Sequence, residues 1–258
     1  MIQENAENEG LPPLNAVITG GTRGIGLALA KVLVRRGAAV ALTYRSNEAA
    51  ANDAFKRLEK IGRKDKKILL VKGNAGDPDQ VSNNYQDIKE ELGPVNVLVN
   101  NAGIMPPKSF LELSNEDWEE TIRVNLSGAF YWSKEVIPDM VESSFGRIVN
   151  MASIAARGGG VVGPHYAASK AGLVGMTRYA ARELGINGIT VNAIAPAFIE
   201  DAGIFVDISE ARRAELLAKV EVSRIGRVED VARAFEYLLD SPFVTGVTLD
   251  VNGGAFML

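Results

Sequence analysis

From Ala16 to Val251 the chain alternates short apolar runs with longer stretches whose apolar residues recur at helical spacing. The runs at 16–19, 39–44, 67–73, 95–100, 146–151, 190–195 and 247–251 are each bounded by turn residues. Near-continuous apolarity is what a strand covered on both faces requires. The stretches between them read as helices, among them 77–92, 115–140 and 166–184. Parallel strands need a crossover segment, so this alternation predicts an α/β fold: one doubly wound parallel sheet of about seven strands. Right-handed crossovers then gather the strand C-terminal ends on one edge. Gly20, Asn101, Ser153 and Pro196, far apart in sequence, are expected to meet there.

Composition narrows the chemistry. At 258 residues and 47% hydrophobic content, with no linker, repeat or low-complexity tract, the chain reads as a single domain over residues 15–258. The absence of cysteine excludes disulfides, thiol nucleophiles and cysteine metal sites, and the single histidine excludes histidine-cluster sites, so no metal is expected. A serine–histidine–aspartate triad would have to use His165, which reads instead as a pocket neighbour of Tyr166 or a turn residue. The net charge of −4, without a basic stripe, argues against nucleic acid as a partner. No run reaches the ~18 apolar residues that span a membrane. Residues 1–14, polar and acid-rich and ending near Pro12-Pro13, read as a flexible arm rather than a signal or transit peptide, which makes a soluble, cytoplasmic protein the expectation.

Residues 16–19 lead into Gly20-Gly21-Thr22-Arg23-Gly24-Ile25-Gly26 and then into an amphipathic stretch carrying Leu29, Val32 and Leu33. Strand, glycine turn and helix form the Rossmann-type arrangement in which bare backbone approaches a pyrophosphate and the helix N-terminus offers unpaired N–H groups. The spacing departs from Gly-x-Gly-x-x-Gly, so alone it marks either a dinucleotide turn or an ordinary glycine-rich turn. An acid ~20 residues past the glycines would bind the ribose hydroxyls of NAD. This chain reads Leu42-Thr43-Tyr44-Arg45-Ser46-Asn47, with no acid before Glu48. Arg45 together with Arg23 would clamp a 2′-phosphate and so favours NADPH; the alternative is a pair of solvated surface charges.

Ser153 follows the fifth strand, Tyr166 stands thirteen residues later, and Lys170 four beyond that. A phenol at its ordinary pKa of about 10 holds its proton too tightly for reversible transfer at neutral pH, and a neighbouring ammonium eases its release. Residues four apart lie on one helical face, so Tyr166 and Lys170 project together. A second pair of this spacing, Tyr85 and Lys89, has Lys72 where the first has its serine. Because a site needs convergent groups, the first set reads as functional and the second as structural.

With these motifs in order, residues 15–254 resemble the short-chain dehydrogenase/reductase family. Residues 19–26 are similar to its glycine motif, and Asn100-Asn101-Ala102-Gly103 to its fourth-strand motif. Ser153, Tyr166 and Lys170 resemble its catalytic trio, and Asn125 in Val124-Asn125-Leu126-Ser127-Gly128 the fourth member. Arg224-Ile225-Gly226-Arg227 and Val251-Asn252-Gly253-Gly254 are similar, within the family, to the 3-oxoacyl-carrier-protein reductases. The resemblance implies NADPH-dependent reduction of a ketone. Tyr166 would protonate the carbonyl oxygen, Ser153 orient it, Lys170 hold the nicotinamide ribose and lower the phenol pKa, and Asn125 anchor a water that resupplies the proton.

It also implies cofactor contacts. Gly20, Thr22, Arg23, Gly24, Ile25 and Gly26 would face the phosphates; Tyr44, Arg45, Ser46, Asn74 and Ala75 the adenosine; Asn101, Ala102, Gly103, Tyr166 and Lys170, with Pro196, Ala197 and Ile199, the nicotinamide half. A homotetramer is implied, built on helices 115–140 and 166–184. Ala167, Ala171, Gly175 and Ala180 would permit close helix approach there, or pack against the chain's own sheet.

Departures from the family pattern bear on substrate. Ala197 replaces a glycine, Asp201 a threonine near the cofactor, and Asn74 an aspartate that contacts adenine. Tyr131 and Asn187 stand where carrier-protein reductases carry docking arginines, which disfavours an acidic carrier protein as partner. The expected substrate is a small-molecule carbonyl: a 3-oxoacyl thioester, a free ketone, a quinone or a coenzyme A ester. Residues 198–222, with Ile204, Phe205, Val206 and Ile208, read as a lid or as an ordinary helix pair. Met105, Pro106, Pro107, Gly158, Gly159, Gly160, Val161 and Val162 are candidate walls. Two alternatives stay open: a cofactor-binding sensor without turnover, and a biosynthetic enzyme that reduces imines or rearranges its substrate.

Overall fold

A computed structural model describes residues 12–200, 202–203 and 209–257. Most of the expected N-terminal arm therefore lies outside the described residues, as do Asp201 and the apolar residues 204–208 of the expected lid. The elements run β1 (Asn15–Ile18), α1 (Gly24–Arg35), β2 (Ala39–Tyr44), α2 (Glu48–Glu59), β3 (Ile68–Lys72), α3 (Pro78–Leu92) and β4 (Val97–Asn100). After these come α4 (Asn115–Ile122), a π-helical turn (Arg123–Ser127), α5 (Gly128–Glu142), β5 (Gly146–Met151), α6 (Ala155–Gly158) and α7 (Pro164–Leu184). The chain continues through β6 (Ile189–Pro196), α8 (Glu210–Leu217) and α9 (Val228–Asp240) to β7 (Thr248–Val251).

Among the described residues all strand pairings are parallel, and seven strands form one sheet in the order β3-β2-β1-β4-β5-β6-β7. Alternate residues serve opposite faces, as the pleat demands. Ala16 and Ile18 of β1, Val40 and Leu42 of β2, and Val97 and Val99 of β4 join α1 and α9 in one core. Val17, Ala41 and Leu98 from the same strands join α3, α5 and α7 in the other. The periodicity of α1 places Leu29 and Leu33 on the sheet and that of α9 does the same for Phe235 and Leu239, all without exposure. The fold is thus the expected α/β Rossmann-type sheet with helices on both faces.

The expected helix over 115–140 is interrupted. Its first part, α4, begins at a Ser114 cap, and the π turn inserts a wider coil before α5. Among the described residues no helix is long and apolar enough to cross a membrane. Strand order reverses between β1 and β4, which opens a crevice at the C-terminal edge of the sheet.

Candidate active site

Two turns flank that crevice and are tied to each other. Asn101 Nδ2 donates to the carbonyls of Thr19 at 2.9 Å and Gly20 at 3.0 Å, while the N–H groups of Asn101 and Ala102 both donate to Thr19 Oγ1 at 2.9 Å. Gly20 has a φ of +62°, a left-handed conformation that costs a side chain-bearing residue energy. At Gly26 the reason for glycine is steric: a Cβ would lie 2.5 Å from the Gly20 carbonyl oxygen and 2.6 Å from Asn101 Nδ2. The result is a surface of bare backbone.

Helix ends add polarity to it. Asn47, Asp77, Ser114 and Ser209 cap α2, α3, α4 and α8 with their side chains, but no side chain caps α1 after Arg23. The first-turn N–H groups of α1 are left for an anion, and positive dipole and bare glycines together fit a pyrophosphate. Thr22 is buried in this turn, Arg23 is exposed, and Ile25 borders the cleft. Arg45 and Ser46 stand exposed just past Tyr44 at the end of β2. After β3, Asn74 Oδ1 accepts from the Gly76 N–H at 3.1 Å, which holds the turn that carries Ala75.

The remaining expected residues gather across the crevice. Ser153, Tyr166, Lys170, Asn101, Pro196 and Ala197 border a single cleft of about 360 Å³. Tyr166 and Lys170 project from the first turns of α7, and Lys170 Nζ lies 5.6 Å from the centre of the Tyr166 ring. The ammonium donates to the Met151 carbonyl at the end of β5, at 2.6 Å. Burial pushes the Lys170 ammonium down to about 8. Burial also raises the Tyr166 phenol above its ordinary value, opposed by a hydrogen bond with Ser153.

α7 is held in place by a buried polar chain behind the cleft. Asn100 Nδ2 donates to Ser133 Oγ at 3.1 Å and to Asn150 Oδ1 at 2.9 Å, and Asn150 Nδ2 donates to Thr177 Oγ1 at 2.9 Å. These bonds tie β4, β5, α5 and α7 to one another, although Asn100 Oδ1 is buried without a partner. Asn125, 1% exposed in the π turn, accepts from the Ile104 N–H at 2.7 Å and donates to the Ile104 carbonyl at 2.9 Å and to Ser169 Oγ at 3.2 Å. It thereby locks the segment after β4, Gly103 included, beside Lys170.

Other residues singled out in the sequence take structural places. His165 is wholly buried, and its Nε2 donates to the Pro106 carbonyl at 3.0 Å, so it braces the loop after β4 rather than a surface turn. Ala197 keeps negative φ; the left-handed residue is its neighbour Phe198, at +49°. Phe198 packs with Leu216 of α8, Val220 and Ile225 over the end of β6, and Ile199 forms a bridge with Gly226. Tyr85 and Lys89 are remote from the cleft. Tyr85 hydrogen-bonds Asp139, Lys89 Nζ donates to the same carboxylate at 2.8 Å, and burial with that carboxylate raises the Tyr85 phenol well above its ordinary value.

Sequence reasoning missed Phe256. It borders the cleft, its ring would lie 3.5 Å from a Cβ at Gly158, and Asn252 Nδ2 holds its carbonyl at 2.8 Å. Its one sequence signal is an aromatic residue just beyond the Asn252-Gly253-Gly254 turn.

Known proteins match this architecture over nearly its whole length. The family model described as short chain dehydrogenase matches residues 14–213. The chain is 38% identical to the 3-oxoacyl-(acyl-carrier-protein) reductase FabG of Salmonella typhimurium and to that of Escherichia coli (strain K12), in each case over 94% of this chain and 97% of the relative. It is 33% identical to the protein of that name from Staphylococcus aureus, over 94% of this chain and 98% of the relative. The crystal structure of a 3-oxoacyl-(acyl-carrier protein) reductase from Brucella melitensis superposes with a TM-score of 0.88 at 33% identity, covering 95% of this chain and 92% of that one. Motif, fold and relatives agree, and the chain belongs to the short-chain dehydrogenase family.

Proposed function

We propose that this oxidoreductase is an NADPH-dependent ketone reductase. The observation that carries the reading is the convergence of Ser153, Tyr166 and a buried Lys170 on one cleft beside the uncapped α1 turn. When bound, NADPH supplies the hydride. Tyr166 donates its phenolic proton to the carbonyl oxygen, and a positioned acid of this kind contributes about 10²–10⁴-fold. Ser153 donates a hydrogen bond to that oxygen and fixes its orientation. Lys170 holds the nicotinamide ribose, and its charge stabilises the phenolate left behind. Asn125 keeps the π turn and Ile104 in register, the place from which a water resupplies the proton through Lys170.

Arg45 and Arg23 bind the 2′-phosphate, and the absence of an acid before Glu48 supports NADPH over NADH. Asn74 and Ala75 serve the adenine end; Pro196, Ala197 and Ile199 serve the nicotinamide end. The substrate is a 3-oxoacyl thioester or another small carbonyl compound. The relatives' names support the thioester, while half-buried Tyr131 and Asn187 offer no positive charge to an acidic carrier. The working form is a homotetramer in the cytoplasm. Exposed Ala171, Gly175 and Tyr179, one helical turn apart on the outer face of α7, support the assembly.

The test is NADPH consumption across ketones, thioesters, quinones and imines, with Tyr166→Phe alongside. Turnover of a ketone or 3-oxoacyl thioester that falls at least 10²-fold in the variant, with NADPH binding intact, is expected. Tight NADPH binding without consumption of any compound would favour a sensor, and an unimpaired variant would remove Tyr166 from its role.

A further inference from the structure

Arg45, the residue read as the anchor for a cofactor 2′-phosphate, already has an anionic partner. Its Nη1 donates to Glu120 Oε1, on α4, at 3.3 Å. The same carboxylate is bonded by Arg123 in the π turn. Arg123 in turn donates from Nη1 to the Gly76 carbonyl at 3.0 Å, and Gly76 donates its N–H to Asn74 Oδ1 at 3.1 Å. Gly76 leaves room for this approach, because a Cβ there would sit 3.1 Å from Arg123 Nη1. One carboxylate thus links the end of β2 to the turn after β3, the two segments assigned to the adenosine half.

The two bonds to Glu120 are unequal. Arg45 makes one long contact from a side chain that is 58% exposed, so it is readily exchanged. Arg123 is held at both ends, by Glu120 and by the Gly76 carbonyl. When Arg45 turns to another anion, Glu120 therefore keeps a cationic partner. A phosphate drawn to Arg45 must still replace the carboxylate and remain near its charge, and like charges at short range repel. An unphosphorylated ribose does not compete for Arg45 and meets neither penalty.

We propose that Glu120 is a built-in stand-in for the 2′-phosphate. It occupies Arg45 in the cofactor-free protein, yields it on binding, and sets the affinity for NADPH relative to NADH below what Arg45 alone would give. The proposal rests on the reading of Arg45 as a phosphate anchor.

The experiment measures Kd for NADPH and NADH by fluorescence titration at low and high ionic strength, with Glu120→Gln, Arg45→Ala and the double variant. Glu120→Gln, which keeps the shape and loses the charge, is expected to tighten NADPH about three- to tenfold, more at low salt, and to leave NADH within about twofold. In the Arg45→Ala background the same change is expected to tighten NADPH by a smaller factor, since the competition for Arg45 is gone and only the repulsion remains. An equal shift for both dinucleotides, or weaker NADPH binding in Glu120→Gln, overturns the role of Glu120. If Arg45→Ala leaves the preference for NADPH unchanged, the phosphate-anchor reading fails with it. Loss of preference in Arg45→Ala with no gain in Glu120→Gln sinks Glu120 alone.

Discussion

Burial separates the two titrating groups of the cleft, raising the Tyr166 phenol and lowering the Lys170 ammonium to about 8. As pH rises, Lys170 in the free enzyme loses its proton first, while Tyr166 still carries the one proposed for donation. The value of kcat/KM for reduction is therefore expected to be level below about 8 and to fall above it. A level profile to well above that point would take Lys170 out of control of the rate. The unfolded chain keeps the lysine protonated to about 10.4, so between the two values it binds more protons and this group favours folding as pH rises. Tyr166 and Lys170 were legible in the sequence because a four-residue spacing on a helix fixes their common direction. Glu120 was not: an acid in the pattern Glu119-Glu120 looks like any solvated helix face, and only the fold half-buries it and brings Arg45 to it.

Among the elements, α3 and α5 are joined by the second Tyr-x-x-x-Lys pair, which converges on Asp139, a carboxylate with only 8% side-chain exposure. Tyr85→Phe removes one of its donors and is expected to lower stability by ~1–3 kcal/mol in chemical denaturation while leaving turnover unchanged. A loss of activity at full stability would contradict this structural role. The end of β7 reaches the cleft through Phe256, and α6 is tied to it where Arg157 Nε donates to Asp250 Oδ1 at 3.1 Å. Phe256→Ala is expected to raise KM for an apolar ketone about tenfold with cofactor Kd unchanged, from the loss of ~1–3 kcal/mol of apolar contact. An unchanged KM would exclude Phe256 from substrate binding. The strands were readable as apolar runs, although the third and seventh begin one residue later, and the fourth two residues later, than their patterns suggested. Val95 is buried without pairing in the ladder, and burial is what an apolar pattern records.

For the molecule as a whole, parallel connection predicted which ends of the strands would meet, and the switch between β1 and β4 supplied the crevice. What the pattern left open was the use of the Ala171–Gly175 stripe. The structure turns Ala171 and Gly175 outward, away from Leu173 and Thr177, which pack inward, and packs Ala180 against the chain's own core. Sedimentation of the unaltered protein is expected to give a tetrameric mass, and Tyr179→Glu, which places charge on that face, a smaller species; a monomeric mass without substitution would reject the assembly. The π turn at Arg123–Ser127 had no signature in the apolar spacing, yet it acts as a phase shifter along the helix axis. Each residue of an α-helix advances the side-chain direction by about 100°, so the wide coil lets Asn125 face Ile104 while Trp132, two turns on, faces the core. Excising Leu126 would collapse the wide coil to an ordinary α turn and leave α4 and α5 in phase with each other, so the burial of Trp132 would survive and the Asn125 lock beside the cleft would bear the loss.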